Sequence, residues 1–99
     1  MYEMIVGLNV VDESVYALYR KEMTPILQSY GGGFRYDFTI AKTHQSAAAH
    51  EITRLFAIYF PDFATKERFF GDKDYKAIRA KYLEQALNGR TSIAEYERE

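Results

Sequence analysis

A strand-like run, Leu55-Phe56-Ala57-Ile58-Tyr59-Phe60, is followed after a short interval by Phe69-Phe70-Gly71-Asp72-Lys73-Asp74-Tyr75-Lys76-Ala77-Ile78-Arg79. Gly71 breaks one short helix, and Asp72 opens another, because its carboxylate can accept from the free amides of a first helical turn. An earlier stop, Gly31-Gly32-Gly33, closes a preceding helix where a left-handed residue costs glycine little. Together these punctuation marks restrict the chain to one order of elements: strand, helix, strand, strand, helix, strand.

The segments between them carry the matching periodicities. In Tyr2 to Val11, the residues Tyr2, Met4, Val6, Leu8 and Val10 alternate with Glu3, Ile5, Gly7 and Asn9, so one strand face is wholly apolar. Asp12 is an N-cap, and Val15, Leu18, Tyr19, Met23, Ile26, Leu27 and Tyr30 follow at helical spacing. Pro25 predicts a kink or restart near Glu22 to Thr24, since its ring removes a backbone bond. Phe34 to Lys42 reads as a second strand, with Phe34, Tyr36, Phe38 and Ile40 on one face and Arg35, Asp37, Thr39 and Ala41 on the other. A polar connection over Thr43 to His50 leads to a third strand, from Ile52 to Phe60. A short helix, Phe63 to Phe70, and a longer one from Asp72 come next, the latter halted by Asn88-Gly89. Thr91 to Tyr96 is a last short strand.

This is an α+β, ferredoxin-like βαββαβ plan: a four-stranded antiparallel sheet with its helices on one face. At 99 residues it makes a single domain over residues 1–99. No helix of the chain is left to cover the second sheet face, yet the strands are apolar on both sides. Burying such a patch is favourable, so the expected partner is a second copy, packed sheet against sheet as a homodimer in a dimeric α/β barrel. Nine tyrosines and seven phenylalanines suit wide packing surfaces of this kind.

Thirteen basic residues against fourteen acidic ones leave no electrostatic footprint for nucleic acid. The absence of cysteine excludes a disulfide framework and a thiolate nucleophile or metal site. No apolar run reaches the roughly 20 residues a membrane helix needs. With no signal-like segment ahead of the first strand, the expectation is a cytoplasmic protein with no membrane partner.

Three stretches carry a resemblance over nearly the whole chain: Gln28-Ser29-Tyr30-Gly31-Gly32-Gly33-Phe34, Leu55 to Pro61, and Asp74-Tyr75-Lys76-Ala77-Ile78-Arg79. As a set they resemble the domain of unknown function 1330 family, in the dimeric α/β-barrel superfamily. The chain departs from that family's usual pattern in two places. Phe70-Gly71-Asp72-Lys73-Asp74 stands where an aromatic and a Ser-Pro-like pair are common, and Asp37 to Lys42 stands where an Arg-Gly-Gly ending is common. The resemblance implies the dimeric barrel and no established activity.

The candidate chemistry is sparse. Polar residues on strands must be hydrogen-bonded or lose about 1–3 kcal/mol, which makes Asn9 and Arg35 candidates for holding a small polar ligand, or else residues that sit at strand edges or pair across the dimer. Arg79, one turn after Tyr75, is suited either to gripping a carboxylate or to pairing with Asp72 or Asp74. Asp37 and Tyr59 are the candidates for general-base work. Tyr16, Tyr19, Tyr75 and Tyr82 join Tyr59 as residues that can line a helix–sheet cleft. His44 and His50 share a polar loop with too few further ligands for a metal, so neither metal nor cofactor is expected. The leading reading is a small dimeric barrel that binds a small molecule in its helix–sheet cleft. The alternative, from superfamily resemblance alone, is a cofactor-independent enzyme of the quinol-type monooxygenase or isomerase kind, acting on a small aromatic or lactone substrate.

Overall fold

The strict alternation of the first strand dictates the architecture around it. In the computed structural model, which describes residues 1–99, β1 (Tyr2–Val10) turns Val6 and Leu8 into the core and packs Met4 and Val10 against it. The helix α1 (Glu13–Ser29) and strands β2 (Gly33–Thr39) and β3 (Arg54–Phe60) follow. Next come α2 (Phe63–Gly71), α3 (Lys73–Ile78), a π-helical turn (Arg79–Leu83), α4 (Glu84–Ala86) and β4 (Leu87–Glu97). The sheet order is β2-β3-β1-β4, with every neighbouring pair antiparallel. This is the expected ferredoxin-like α+β plan. No helix is long and apolar enough to cross a membrane.

Local chemistry starts and stops the helices where the sequence signals it. The Asp12 carboxylate accepts from the Val15 amide at 3.1 Å, and Asp62 accepts from Thr65 at 2.7 Å. Asp72 accepts from the amides of Asp74 and Tyr75 at 2.8 and 3.0 Å. Each carboxylate satisfies donors that a first turn leaves free. At the end of α1, Gly31 adopts φ +79°, the left-handed value that favours glycine. Gly32 is buried, and a Cβ there would lie 2.7 Å from both the Leu27 Cδ1 and the Tyr59 carbonyl oxygen. Gly32→Ala is therefore expected to cost roughly 1–2 kcal/mol in overpacking, measured as a lower urea midpoint at unchanged slope.

The core lies between the helices and one sheet face. Tyr16, Tyr19, Met23 and Leu27 descend from α1 at helical spacing and meet Phe56, Ile58 and Phe60 of β3. Phe69 and Tyr75 close the same cluster from α2 and α3. On the opposite face no helix packs, and Tyr36, Phe38 and Ile93 remain 49%, 51% and 52% exposed. Tyr36 and Phe38 stack there, with ring centroids 5.9 Å apart.

Four expectations are corrected. The first concerns β2. Phe34 pairs with Ile58 and Tyr36 pairs with Ala57, so Arg35 is an extra residue, a β-bulge. Beyond it every side chain changes face: Phe34 points to the helices, Tyr36 and Phe38 point away, and Asp37, opposite Phe56, points back. The second concerns α1, which neither restarts nor breaks at Pro25. Lys21 and Pro25 are both exposed, so the carbonyl deprived of its partner opens to water. Third, Asn88-Gly89 does not stop a helix. Leu87 is already extended (φ −114°, ψ 146°) and pairs with Val10, so α4 runs directly into β4 and Asn88 is accommodated as an irregularity. Fourth, β2 and β3 are shorter than expected, ending at Thr39 and starting at Arg54. Their long connection folds back onto the sheet: Ile52 fills the space above Gly7 and the His50 ring lies against Gly89. The Asn9 side chain donates to the Glu51 carbonyl oxygen at 2.8 Å to hold it there.

Candidate functional site

The even-numbered residues Met4, Val6 and Leu8 of β1 form the floor of a cavity of about 340 Å³ beneath the helices. That volume is at the lower end of small-molecule sites. β4, the edge strand, adds Arg90, Ser92 and Glu95 from its inward positions, while α1 and the π-helical turn supply the opposite wall. Twelve of the nineteen lining residues are hydrophobic, so the few polar atoms inside decide what the space can hold.

Two of those atoms are the hydroxyls of Tyr19 and Tyr75, buried and 2.8 Å apart. Burial pushes both phenols above their ordinary pKa, although the nearby guanidiniums of Arg79 and Arg90 oppose the rise at Tyr75. Arg79 belongs to the π-helical turn, and such turns occur frequently at functional sites. Its wider winding places Arg79 and Leu83 together on the cavity wall. Neither Arg79 nor Arg90 forms an ion pair with any residue of the chain.

A third cation, Arg20, is fully engaged. Its Nε donates to the Tyr16 hydroxyl at 2.8 Å, and its other end reaches Asp37 at 3.2 Å. Its guanidinium lies 3.8 Å from the centroid of Phe34, a cation–π contact. Arg54 grips the same Asp37 with two hydrogen bonds, at 2.8 and 2.9 Å. Partial burial raises the Asp37 pKa, but the Arg54 hydrogen bonds and the charges of Arg20 and Arg54 outweigh it and hold the carboxyl below its usual range. At the far end of the cavity, Glu95 accepts from Tyr2 at 2.6 Å and pairs with Lys66 at 3.4 Å. No group of three or more histidine, aspartate or glutamate side chains is placed to hold a metal ion.

The family model of the domain of unknown function, DUF1330, matches residues 2–96. The chain belongs to the DUF1330 family. No curated protein matches it in sequence. Solved structures share its fold at low identity. A protein of unknown function from Rhodopseudomonas palustris superposes with a TM-score of 0.80 at 14% identity, covering 99% of this chain and 82% of that one. A Nitrosomonas europaea protein, assigned without confirmation to the antibiotic biosynthesis monooxygenases, gives 0.66 at 14% identity over 99% and 98% of the two chains. A protein from Bacteroides fragilis, described as dimeric, of unknown function and ferredoxin-like, gives 0.59 at 10% identity over 98% and 95%. At these identities the likeness concerns the fold alone.

Within this DUF1330 chain the structure separates the residues singled out from sequence. Arg79 lines the cavity. Asp37 faces the helices at the cavity's margin, held by Arg20 and Arg54. Asn9, Arg35 and Tyr59 lie on the other sheet face: Asn9 anchors the loop, Arg35 binds Glu3 at 2.6 and 2.8 Å, and Tyr59 packs against Gly33. Of the tyrosines, Tyr16, Tyr19 and Tyr75 line the cavity, whereas Tyr82 donates to Glu22 outside it. Arg79 pairs with neither Asp72 nor Asp74. Sequence reasoning missed Arg20 and Arg90. Arg20 follows Tyr16 by one helical turn, and Arg90 precedes Ser92 at strand spacing, so a signal for each was present in the sequence.

Proposed function

We propose that this DUF1330 chain binds a small, mostly apolar molecule in the helix–sheet cavity, and does so as a homodimer joined through the helix-free sheet face. The cavity is the observation that carries the reading: an apolar space with polar groups converging at one end is the usual form of a ligand site. The stacked, half-exposed Tyr36 and Phe38, together with Ile93, support the dimer, because aromatic patches of this kind favour burial at an interface. The Bacteroides fragilis protein of similar fold, described as dimeric, agrees with it.

The enzymatic reading draws on the Nitrosomonas europaea protein, but the side chains favour binding. A general base needs a pKa near the working pH. Asp37 is saturated by two guanidiniums and held acidic, and burial pushes the Tyr19 and Tyr75 phenols in the opposite direction, away from neutrality.

A native mass spectrum of protein purified without added ligand tests both halves of the proposal. A dimer carrying extra mass is the expected result, and a monomer under dilute, gentle conditions would remove the dimer. Phe38→Arg, which places a charge on the stacked pair, is expected to raise the dimer dissociation constant at least about tenfold, measured by sedimentation equilibrium. The far-ultraviolet spectrum should not change, because Phe38 is half exposed.

A further inference from the structure

We infer that the occupant of the helix–sheet cavity is an organic anion, a small aromatic or otherwise apolar carboxylate whose acid group sits between Arg79, Arg90 and the Tyr19–Tyr75 hydroxyl pair. The inference rests on the cavity being a ligand site and names the chemical class of the ligand.

Charge is the first argument. The whole chain carries a net charge of -1, yet the cavity lining carries four cations and only two carboxylates. Both carboxylates are engaged at the α2 end, where Lys66 lies 3.8 Å from Glu67 and 3.4 Å from Glu95. Arg20 is engaged by Asp37 and Tyr16. The positive charge without a counter-ion therefore belongs to Arg79 and Arg90, at the opposite end. Glu84 borders the shallow groove outside them but pairs with neither. Arg79 is half-buried and Arg90 exposed, so their field is screened on the solvent side and strongest toward the apolar interior.

Hydrogen bonding supplies the second argument. Two phenols carry two protons, and the contact between Tyr19 and Tyr75 uses one. The other proton has no acceptor among the side chains or carbonyls of this chain. A buried donor without an acceptor is unfavourable, and a ligand oxygen placed there removes that cost. A carboxylate satisfies the hydroxyl and both guanidiniums at once, and Arg suits it through paired N–H groups. The floor of Met4, Val6 and Leu8 offers nothing polar and suits a hydrocarbon or aromatic body.

The test uses the full-length chain and matched probes: para-hydroxybenzoate and its neutral isostere para-hydroxybenzamide, each titrated at low salt while the backbone amides are followed by heteronuclear NMR. The expected result is that the acid shifts the amides of Tyr75, Arg79, Leu83 and Arg90, with the amide at least about tenfold weaker. The double variant Arg79→Gln/Arg90→Gln should weaken the acid to the level of the amide while its own spectrum stays folded, because neither side chain has a partner to lose. Equal shifts from both probes would overturn the anionic class and leave the cavity as a ligand site. Shifts confined to other surfaces, or no shift from either probe, would overturn the cavity reading together with it.

Discussion

Phe69→Ala is expected to destabilise the fold by about 3–5 kcal/mol, the range for truncating a fully buried phenylalanine. Phe69 is 0% exposed and sits at the centre of an aromatic cluster. Its ring centroid lies 4.3 Å from that of Tyr75, 5.1 Å from Phe70, 5.6 Å from Phe60 and 6.0 Å from Tyr30. These partners come from the C-cap of α1 and from β3, α2 and α3, so the cavity left behind cannot be closed by moving one element. Domains of this size have about 5–15 kcal/mol in total, so the loss takes a large share of the reserve. Urea unfolding followed by tyrosine fluorescence measures it. A loss below about 1 kcal/mol would mean that Phe70, already in contact with Phe60 and Tyr75, swings in to fill the hole. Because Phe69 backs Tyr75, the variant should also weaken whatever the cavity holds.

Glu3→Gln should cost about 2–3 kcal/mol at neutral pH. Glu3 is the one fully buried acid of the chain, at 0% exposure. Its carboxylate receives two hydrogen bonds from Arg35, one from Tyr96, and the charge of Arg98 at 3.5 Å. Removing one partner from a buried ion pair ordinarily costs about 3–5 kcal/mol, and the figure is lowered here because Arg35 and Arg98 each keep about a third of their surface in water. The hydrogen bonds from Arg35, opposed by burial and reinforced by Tyr96 and by the charges of Arg35 and Arg98, pull the Glu3 pKa from 4.5 to about 2. The unfolded chain thus takes up a proton at this group before the folded one does. The stabilisation is complete above pH about 4.5 and is lost as the pH falls through about 2. Melting temperatures recorded across that window should fall more steeply for the parent than for Glu3→Gln, and the two curves should converge at the acid end. Parallel curves would show that Glu3 contributes packing alone.

Much of the architecture was legible because each strong signal was local. Asp12, Asp62 and Asp72 cap the helices they precede, Gly31 adopts the left-handed turn its position requires, and β1 buries the face its alternation marks. The bulge at Arg35 left no such mark. Aromatic residues at positions 34, 36 and 38 imitate an unbroken alternation, and only pairing with β3 shows that one residue between them is unmatched. The π-helical turn was hidden in the same way, since Tyr75, Ile78 and Tyr82 fit ordinary helical spacing while the winding changes at Arg79. Asn88-Gly89 imitated a helix stop, but the β1 ladder continues past it to Leu87. The candidate site inherited these errors. Polar residues on strands were grouped by chemistry, and only the sheet's faces separate Asn9, Arg35 and Tyr59 from Asp37. Arg90 could be recognised as a lining residue only once β4 was known to begin before it.

The unmatched residue in β2 also governs how this chain should be aligned with its relatives. A relative without it needs a gap opposite Arg35. Aligned without that gap, Asp37 is matched to an outward position and Phe38 to an inward one, and every environment from Tyr36 to Thr39 is misassigned. Arg35 acts as a parity bit for the strand: its deletion would leave Tyr36 opposite Ala57 and every face unchanged, whereas drawing it into the ladder would exchange the aromatic exterior for the acid that holds Arg20 and Arg54. Among sequences of this length, a one-residue difference in β2 is therefore worth more attention than several exchanges within it.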